Sequence, residues 1–286
     1  MKLISFTQNG IDSFGVIKGD MVVDLTSKFK GITCLSNLLE ANQINKARDY
    51  CVSAQGDFHL SEIDFLPVIP NPSKIICLAI NFKGHVLETG RDMPKYPVTF
   101  HRHAQTLTGH KTSLIRPSVS DNLDYEGELA VVLGKRGGNI SVENAMDYVA
   151  GYTCFNEASI RDWQKHSHLY GMGKNFRGTG AVGPWMVTKD EIPNPENLVL
   201  TTLLNGVQMQ QVAMDDLIFT IPEMIAYVSQ ALDWQPGDIL VTGTPSGVGL
   251  FQKPPRFLRP GDQIEVSITE IGTLLNTVAD QLPLEN

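Results

Sequence analysis

The sequence predicts an α+β fold that is rich in β-structure. Short alternating strands outnumber the predicted helices, and most of them are joined as hairpins. Two Asn-Gly pairs, Asn9-Gly10 and Asn205-Gly206, lie between such strands, where this dipeptide favours a tight turn. The 286 residues are 42% hydrophobic and 19% charged, enough apolar mass for one large domain or a large and a small one. We therefore expect a sheet that is chiefly antiparallel or mixed.

Residues 1–70 are predicted to form a small α/β domain of their own. Strands are expected over Met1–Phe6, Ser13–Ile17 and Met21–Leu25, followed by a helix over Leu35–Ala47. This part of the chain holds no cluster of catalytic residue types. It is therefore expected to serve as a scaffold or an interface.

The segment Pro67–Pro72 contains three prolines and is typical of a linker, so the second domain is predicted to span residues 71–286. A buried strand over Lys74–Ile80 comes first. His85 and Glu88 follow, and in a helical turn they share one face. A carboxylate beside an imidazole orients it and raises its basicity, which suits a general base, although a surface salt bridge would show the same spacing.

An acidic strand is predicted over Asn122–Lys135. Because side chains alternate along a strand, Glu126 and Glu128 point to one face and Asp124 joins them. Clustered carboxylates repel one another near a core, and a bound cation removes that cost. Oxygen ligands suit Mg²⁺, Mn²⁺ or Ca²⁺ rather than Zn²⁺. The alternative is an edge strand with a wet acidic face.

The next predicted strand, Tyr148–Phe155, runs into a polar segment that begins with Glu157. The segment Ser159–Asp162 resembles a capping box and predicts the start of a helix. On that helix Arg161 and Gln164 are i, i+3 neighbours close to the end of the strand.

Lys174 lies in the glycine-flanked segment Gly171–Phe176, just before a predicted strand over Trp185–Thr188. A lysine in such a setting can simply be exposed to solvent, and the segment alone does not exclude that alternative.

Turn and helix-cap patterns predict the strand and helix boundaries in the C-terminal half of the chain. Asn205-Gly206 separates the predicted strands Leu198–Leu204 and Val207–Val212. The segment Thr220–Glu223 is a capping box with proline in the first turn, and it predicts a helix to about Leu232.

A glycine-rich loop, Gly243–Gly249, follows a predicted strand within Pro236–Thr242. It lacks the Gly-Lys-Ser/Thr ending of a phosphate-binding loop. Its backbone amides and Thr244 could bind a carboxylate instead. A last strand pair is expected over Gln263–Thr269 and Thr273–Val278.

The composition argues against several classes of partner. A net charge of -8 disfavours nucleic acid and anionic membranes. The chain has no run of ~18 apolar residues, and its first residues lack the apolar core of a signal peptide. The four cysteines show no CxxC spacing, which is typical of reduced thiols in the cytoplasm, the expected location.

Taken in order, these motifs resemble the fumarylacetoacetate hydrolase family from about Lys74 to Val278. The matching strings are Asp124-Tyr-Glu126-Gly-Glu128-Leu-Ala-Val-Val, Gly151-Tyr-Thr-Cys-Phe-Asn-Glu157-Ala-Ser-Ile-Arg161-Asp-Trp-Gln164, Gly173-Lys174-Asn-Phe, Leu204-Asn-Gly206 and Thr242-Gly-Thr244-Pro-Ser-Gly-Val-Gly249.

The resemblance implies a mixed β-roll catalytic domain, a homodimer, and Mg²⁺ or Mn²⁺ held by Glu126, Glu128 and Glu157. The third ligand is usually Asp in the family, so the additional methylene of Glu157 must be absorbed by the backbone or by the position of the ion. The resemblance also assigns roles to other side chains: catalytic His85, Glu88 and Lys174, and substrate-binding Arg102, Arg161, Gln164 and Thr244. Arg102 stands where many members have lysine.

By this resemblance, the leading expectation is hydrolysis of a C–C bond in an acylpyruvate, a 2,4-diketo acid, through a metal-stabilised enolate. The products would be pyruvate and a carboxylic acid. The alternatives are decarboxylation of oxaloacetate and isomerisation or hydration of unsaturated 2-keto acids in aromatic catabolism. A third possibility is a non-catalytic, metal-stabilised dimer, which would not need the His85–Glu88 pair. The segment Asn81–Met93 is expected to be mobile without ligand and to order over the substrate.

Overall fold

A computed structural model describes residues 1–282 of the chain. Within them the chain forms nineteen strands and six α-helices. The strands are β1 Lys2–Gln8, β2 Ile11–Lys18, β3 Met21–Asp24, β4 Phe58–His59, β5 Asp64–Phe65, β6 Ile75–Ala79, β7 Val98–Arg102, β8 Leu107–Thr108, β9 Leu114–Arg116, β10 Leu123–Asp124, β11 Gly127–Leu133, β12 Val149–Glu157, β13 Ser159–Ile160, β14 Gly180–Thr188, β15 Val199–Leu204, β16 Val207–Ala213, β17 Ile239–Val241, β18 Gln263–Ile268 and β19 Gly272–Asp280. The helices are α1 Leu35–Glu40, α2 Ile44–Ser53, α3 Lys83–Thr89, α4 Arg161–Gln164, α5 Gly171–Lys174 and α6 Ile221–Ser229.

Most strands belong to one twelve-stranded mixed sheet. Its main path runs β4-β3-β2-β1-β14-β12-β11-β17-β6-β7, with β5 beside β1 and β8 beside β14. The β17–β6 and β14–β8 pairs are parallel, whereas the other pairs in this sheet are antiparallel. A second sheet has the order β16-β15-β18-β19-β9. The predicted β-rich α+β class with a mixed sheet is confirmed.

The two central strands, β11 and β12, are buried along their whole length. Leu129, Val131 and Leu133 alternate on one face of β11 and share a core with Leu200 and Val266 of the second sheet. This packing of one sheet on the other covers that face of β11.

The opposite face of β11 packs against the N-terminal part of the chain. Ala130 and Val132 belong to a core that includes Leu35 and Leu38 of α1 and Leu3 of β1. Both faces of β11 are thus covered, so polar groups near its start are held in an environment with little water.

The N-terminal 70 residues continue the large sheet. Strand β1 pairs with β14, where Lys2 lies opposite Val187 and Leu3 opposite Met186. Since the N-terminal strands share a sheet and a core with the rest of the chain, independent folding of residues 1–70 stays a prediction. Among residues 1–282, none of the helices combines the length and apolar composition that crossing a bilayer requires.

The single helix predicted over Leu35–Ala47 is wrong. The structure has two helices, and the chain turns between them at Asn42, whose φ of 52° is left-handed. Asparagine tolerates this conformation better than most residues, so it ends α1 and allows α2 to begin at Ile44.

Of the two predicted capping boxes, one is confirmed. The Thr220 backbone N–H donates to Glu223 at 2.8 Å, and the reciprocal contact is present at the start of α6. The box predicted at Ser159 is wrong, because α4 begins at Arg161 and Ser159 lies in β13.

His110 provides a prediction about acid stability. Its ring lies 4.6 Å from the Phe65 ring, centroid to centroid, and its Nδ1 accepts a hydrogen bond from the Leu275 N–H at 3.0 Å. Burial, followed by the charge of Lys111, lowers the pKa of His110 from 6.5 to about 4. Below its ordinary pKa the unfolded chain therefore binds a proton that the folded protein excludes.

We expect this contribution to be complete above pH 6.5 and to be lost as the pH falls towards 4. The His110→Asn variant keeps a hydrogen-bond acceptor and does not titrate. The difference in unfolding free energy between the two proteins, measured in urea, should change across this window. A difference that is constant with pH would contradict the prediction.

Candidate active site

One cavity of about 330 Å³ lies beside the start of β11, between α3, α4 and the glycine-rich loop Gly243–Gly249. Most side chains that the sequence singled out line it: His85, Glu126, Glu128, Arg161, Gln164, Lys174 and Thr244. The structure therefore brings together residues that are more than 150 positions apart in the chain.

Glu126 lies between β10 and β11, and basic side chains surround its carboxylate. It accepts hydrogen bonds from Lys174 Nζ and from Ser159 Oγ at 3.1 Å, and its other oxygen is 2.7 Å from Arg161 Nη1. Burial alone would raise the pKa of Glu126, but Arg161 and Lys174 outweigh burial and hold the pKa at about 2. Glu126 is therefore ionised at neutral pH. Lys174 is buried, so simple solvent exposure does not describe it.

Glu128 follows on β11, and its Oε2 accepts the Gly243 N–H at 2.6 Å. Burial, and then the nearby Glu157 and Glu126, raise the pKa of Glu128 well above its ordinary value. A carboxyl held in this way among like charges gains from a bound cation.

Glu157 ends β12 and is fully buried. Its Oε1 accepts from Arg102, whereas its Oε2 is buried and has no hydrogen-bond partner among residues 1–282. Such an oxygen is an expected ligand position, since a buried acceptor normally has a partner.

These three carboxylates suit a hard divalent ion. All the ligand atoms that they offer are oxygens, and one of these, Glu157 Oε2, has no hydrogen-bond partner among residues 1–282. The raised pKa of Glu128 shows that the three carboxylates still repel one another. No three acidic, histidine or cysteine side chains of residues 1–282 are already gathered in ligand geometry. The three carboxylates do not converge on one point, because Glu126 is turned towards Lys174 and Arg161, and Glu157 is turned towards Arg102.

His85 and Glu88 form the expected pair on α3. Nδ1 of His85 is 2.9 Å from Glu88 Oε2, and Glu88 Oε1 accepts the Gly247 N–H at 2.8 Å. The imidazole also contacts the Phe251 ring edge-on. With Nδ1 engaged, Nε2 is the nitrogen available to a bound molecule. The helix within the predicted mobile segment is present, and its mobility stays a prediction.

Asp124 does not join the acidic face, contrary to expectation. Its carboxylate accepts from the Gly249 and Leu250 amides at 2.8 and 2.9 Å and from Arg161 Nε at 2.7 Å. The alternation of a continuous strand fails here because the chain leaves strand geometry between β10 and β11. Asp124 instead holds Arg161 in place. No pattern in the sequence predicts this contact, because the two residues are 37 positions apart.

Arg161 and Gln164 are neighbours, as the spacing predicted. Arg161 Nη1 donates to Gln164 Oε1 at 3.0 Å. Arg161 Nη2 is buried and has no partner among the described residues. This nitrogen is thus a donor that an anionic substrate could satisfy.

The glycine-rich loop binds carboxylates, but they are the protein's own. The amides of Gly243 and Gly247 reach Glu128 and Glu88. Thr244 Oγ1 donates to the Gly127 carbonyl at 3.0 Å and accepts from Gln210 at 2.9 Å. Thr244 lines the cavity, yet its single proton is already used, so in this arrangement it can only accept a hydrogen bond from a substrate.

Arg102 stands behind the cavity and does not line it. Its side chain has 0% exposure, and its donors reach Glu157, Thr179 and the Ala158 carbonyl. The expected substrate-binding role of Arg102 does not agree with this placement, because no donor face of the guanidinium is open to a substrate.

Comparison with known proteins agrees with the resemblance found in the sequence. The family model "Fumarylacetoacetate (FAA) hydrolase C-terminal" matches residues 74–279. The chain belongs to the fumarylacetoacetate hydrolase family. The family assignment predicted from the motifs is confirmed.

Two curated relatives in this family are oxaloacetate tautomerases. YisK of Bacillus subtilis (strain 168) is 44% identical over 225 residues, which cover 77% of this chain and 75% of the relative. The mitochondrial fahd2 of Xenopus laevis is 37% identical over 265 residues, 91% of this chain and 83% of the relative.

A solved structure in the family gives a further comparison. Maleylpyruvate hydrolase from Sphingobium sp. SYK-6, in complex with manganese(II) and pyruvate, has a TM-score of 0.84 and 26% identity. The match covers 99% of this chain and 100% of that one. The names of these family members are those of enzymes that act on small keto acids, by more than one type of reaction.

Sequence reasoning within the family missed the mouth of the cavity. Arg91, Lys165, His168 and Tyr170 line it, and Arg91 Nη1 donates to the Tyr170 hydroxyl at 2.8 Å. These residues come from two separate loops without a recognisable motif, so no local sequence pattern predicts that they line the cavity. Their basic character suits an anionic substrate.

Proposed function

We propose that this protein catalyses the keto–enol tautomerisation of oxaloacetate or a closely related 2-keto dicarboxylic acid. The observation that carries the proposal is the buried imidazole of His85, which lines the cavity and which Glu88 fixes at Nδ1; the other imidazole that lines the cavity, His168, is exposed to solvent. Tautomerisation needs one group that takes a proton and returns it. The 44% identity to an oxaloacetate tautomerase supports this choice among the reactions of the family.

Binding would rest on the basic side chains of the cavity. Arg161 Nη2 has no hydrogen-bond partner within residues 1–282, and Lys174 lies beside Glu126, so both can meet the carboxylate and keto oxygen of the substrate. The basic mouth, with Arg91 and Lys165, suits a second carboxylate. A divalent cation held by Glu126, Glu128 and Glu157 would supply Lewis-acid polarisation of the keto group.

The proton transfer follows from the placement of His85. Its neutral Nε2 accepts a proton from C3, and the electrons of that C–H bond form the C2–C3 double bond. The C2 oxygen, which takes up the displaced electron pair, receives the proton from the same imidazolium. Glu88 stabilises the imidazolium between the two transfers. No water and no net proton are consumed, so the step balances.

Hydrolysis of an acylpyruvate, the leading expectation from the sequence, is the second candidate. The observation that favours it is the likeness over almost the whole chain to a maleylpyruvate hydrolase bound to manganese(II) and pyruvate. His85 would then deprotonate a water molecule rather than a carbon. The two candidates differ in whether a C–C bond breaks.

One assay separates them. With Mg²⁺ present, we expect faster interconversion of enol and keto oxaloacetate, followed by the ultraviolet absorbance of the enol, without release of pyruvate. Acetylpyruvate should stay intact under the same conditions. Pyruvate formed from acetylpyruvate would establish hydrolysis, and pyruvate and CO₂ formed from oxaloacetate would establish decarboxylation. Either result, without acceleration of the tautomerisation, would overturn the proposal.

A further inference from the structure

We propose that Arg102 is a positioning residue for metal binding. It holds one oxygen of Glu157 and leaves the other as the only oxygen that this side chain can offer to a divalent cation. The inference rests on the proposed metal site of Glu126, Glu128 and Glu157, but not on which reaction the enzyme catalyses.

The first step is the asymmetry of the Glu157 carboxylate. Arg102 Nε and Nη2 both approach the same oxygen, Oε1, at 2.7 and 2.6 Å. Oε2 is buried and receives no hydrogen bond from the part of the chain that the structure describes. The two oxygens of one carboxylate therefore have different surroundings, and a cation would supply the partner that Oε2 lacks.

The second step is the rigidity of Arg102. Its remaining donors are fixed by Thr179 Oγ1 at 3.0 Å and by the Ala158 carbonyl at 2.9 Å. Gly180 packs beneath the guanidinium, where even a Cβ atom would lie 2.7 Å from Nη1. Because these contacts hold Arg102 in place, Glu157 Oε1 stays occupied, and two guanidinium donors fix the position of that oxygen.

The third step is the consequence for the ion. A glutamate has more rotational freedom than a shorter acid, so its ligand oxygen is poorly placed unless a neighbour fixes it. Arg102 supplies that restraint from the side opposite the cavity. An outer partner of this kind usually contributes to metal affinity as well as to folding.

A purely structural role for Arg102, neutralising a buried carboxylate, is the competing explanation. The experiment uses the whole purified protein, stripped of metal, and measures Mg²⁺ affinity by calorimetry and metal-free thermal unfolding. The test variant, Arg102→Lys, keeps the positive charge but lacks the two parallel donors. Arg116→Lys is the matched control, because it makes the same exchange at an arginine whose partners, Asp121 and Asp280, are not proposed metal ligands.

We expect Arg102→Lys to weaken Mg²⁺ binding roughly 10- to 100-fold. Arg116→Lys should leave the Mg²⁺ affinity within about 3-fold of the original. Unchanged Mg²⁺ affinity in Arg102→Lys would overturn the proposal, as would an equal loss in both variants.

Glu157→Asp keeps the test decisive if Arg102→Lys does not fold. The shorter side chain draws the carboxylate away from Arg102, so a loss of roughly 10-fold or more in Mg²⁺ affinity is expected if that contact positions the ligand oxygen. Where all variants fold, the double variant should lose less than the product of the two single losses. Original affinity in Glu157→Asp, or strictly multiplicative losses, would overturn the role of Arg102. A parent protein that binds no Mg²⁺ would overturn the metal site itself.

Discussion

The Glu128→Gln variant is expected to lose turnover and Mg²⁺-dependent thermal stabilisation together. Glutamine keeps the acceptor for the Gly243 N–H but removes the charge that a cation needs. Since burial and two neighbouring glutamates raise the pKa of Glu128, the metal-free variant should be no less stable than the parent protein. The combined loss of turnover and of Mg²⁺-dependent stabilisation would therefore result from the missing metal ligand and not from a damaged fold.

The measurement is a pair of thermal unfolding curves, with EDTA and with saturating Mg²⁺, beside the tautomerase assay. A ligand at 100 times its Kd stabilises a protein by about 2.7 kcal/mol, which is the size of effect that should disappear. Glu40→Gln, on the exposed side of α1, is the control and should keep the full effect. Full activity of Glu128→Gln after dialysis against EDTA would contradict the metal assignment.

The second large effect is expected from His85→Ala. Loss of the proton carrier should lower the rate of tautomerisation by roughly 10²- to 10⁴-fold, the usual contribution of a general acid–base group. Mg²⁺ affinity should change far less than the rate, because no hydrogen bond within residues 1–282 joins His85 to Glu126, Glu128 or Glu157. Rates are best followed as acceleration over the spontaneous reaction at several enzyme concentrations.

Glu88→Gln tests the same proton transfer as His85→Ala but keeps the imidazole. An amide can still contact the imidazole and the Gly247 N–H, but it does not stabilise an imidazolium by charge. A smaller loss than that of His85→Ala is expected. If decarboxylation is the true reaction, His85→Ala should lose much less, since no base is needed to remove a proton from carbon. A His85→Ala enzyme with the original tautomerase rate would exclude the proposed role of the pair.

Local patterns in the sequence were sufficient to predict structural features that depend only on residues close together in the chain. The Asn205-Gly206 hairpin and the capping box at Thr220 depend on residues within a few positions of one another, and both are present. The i, i+3 pairs His85–Glu88 and Arg161–Gln164 also form as predicted, because one helical turn decides them. The homodimer has no such local basis and stays a prediction of the family resemblance.

Where several contacts compete, the sequence was misleading. Ser159 carries the signature of a helix cap, yet its hydroxyl lies within hydrogen-bond distance of both the Glu157 carbonyl and the Glu126 carboxylate, and its single proton serves these acceptors and not a helix amide. Arg102 was assigned to the substrate, but its donors contact buried Glu157, Thr179 and the Ala158 carbonyl. The amides of the glycine-rich loop were predicted to bind a carboxylate, and the protein's own acids occupy them.

The sequence by itself determined the β-rich class, the family and the residue types that meet in the cavity, because motif order and spacing are written along the chain. Only the tertiary structure decided which acid pairs with which base. Asp124 turned to Arg161, Glu157 to Arg102, and Glu126 to both Lys174 and Arg161. In an interior with little water, each buried charge must find an opposite charge or a hydrogen bond, and those choices depend on distances across the fold that no local pattern encodes.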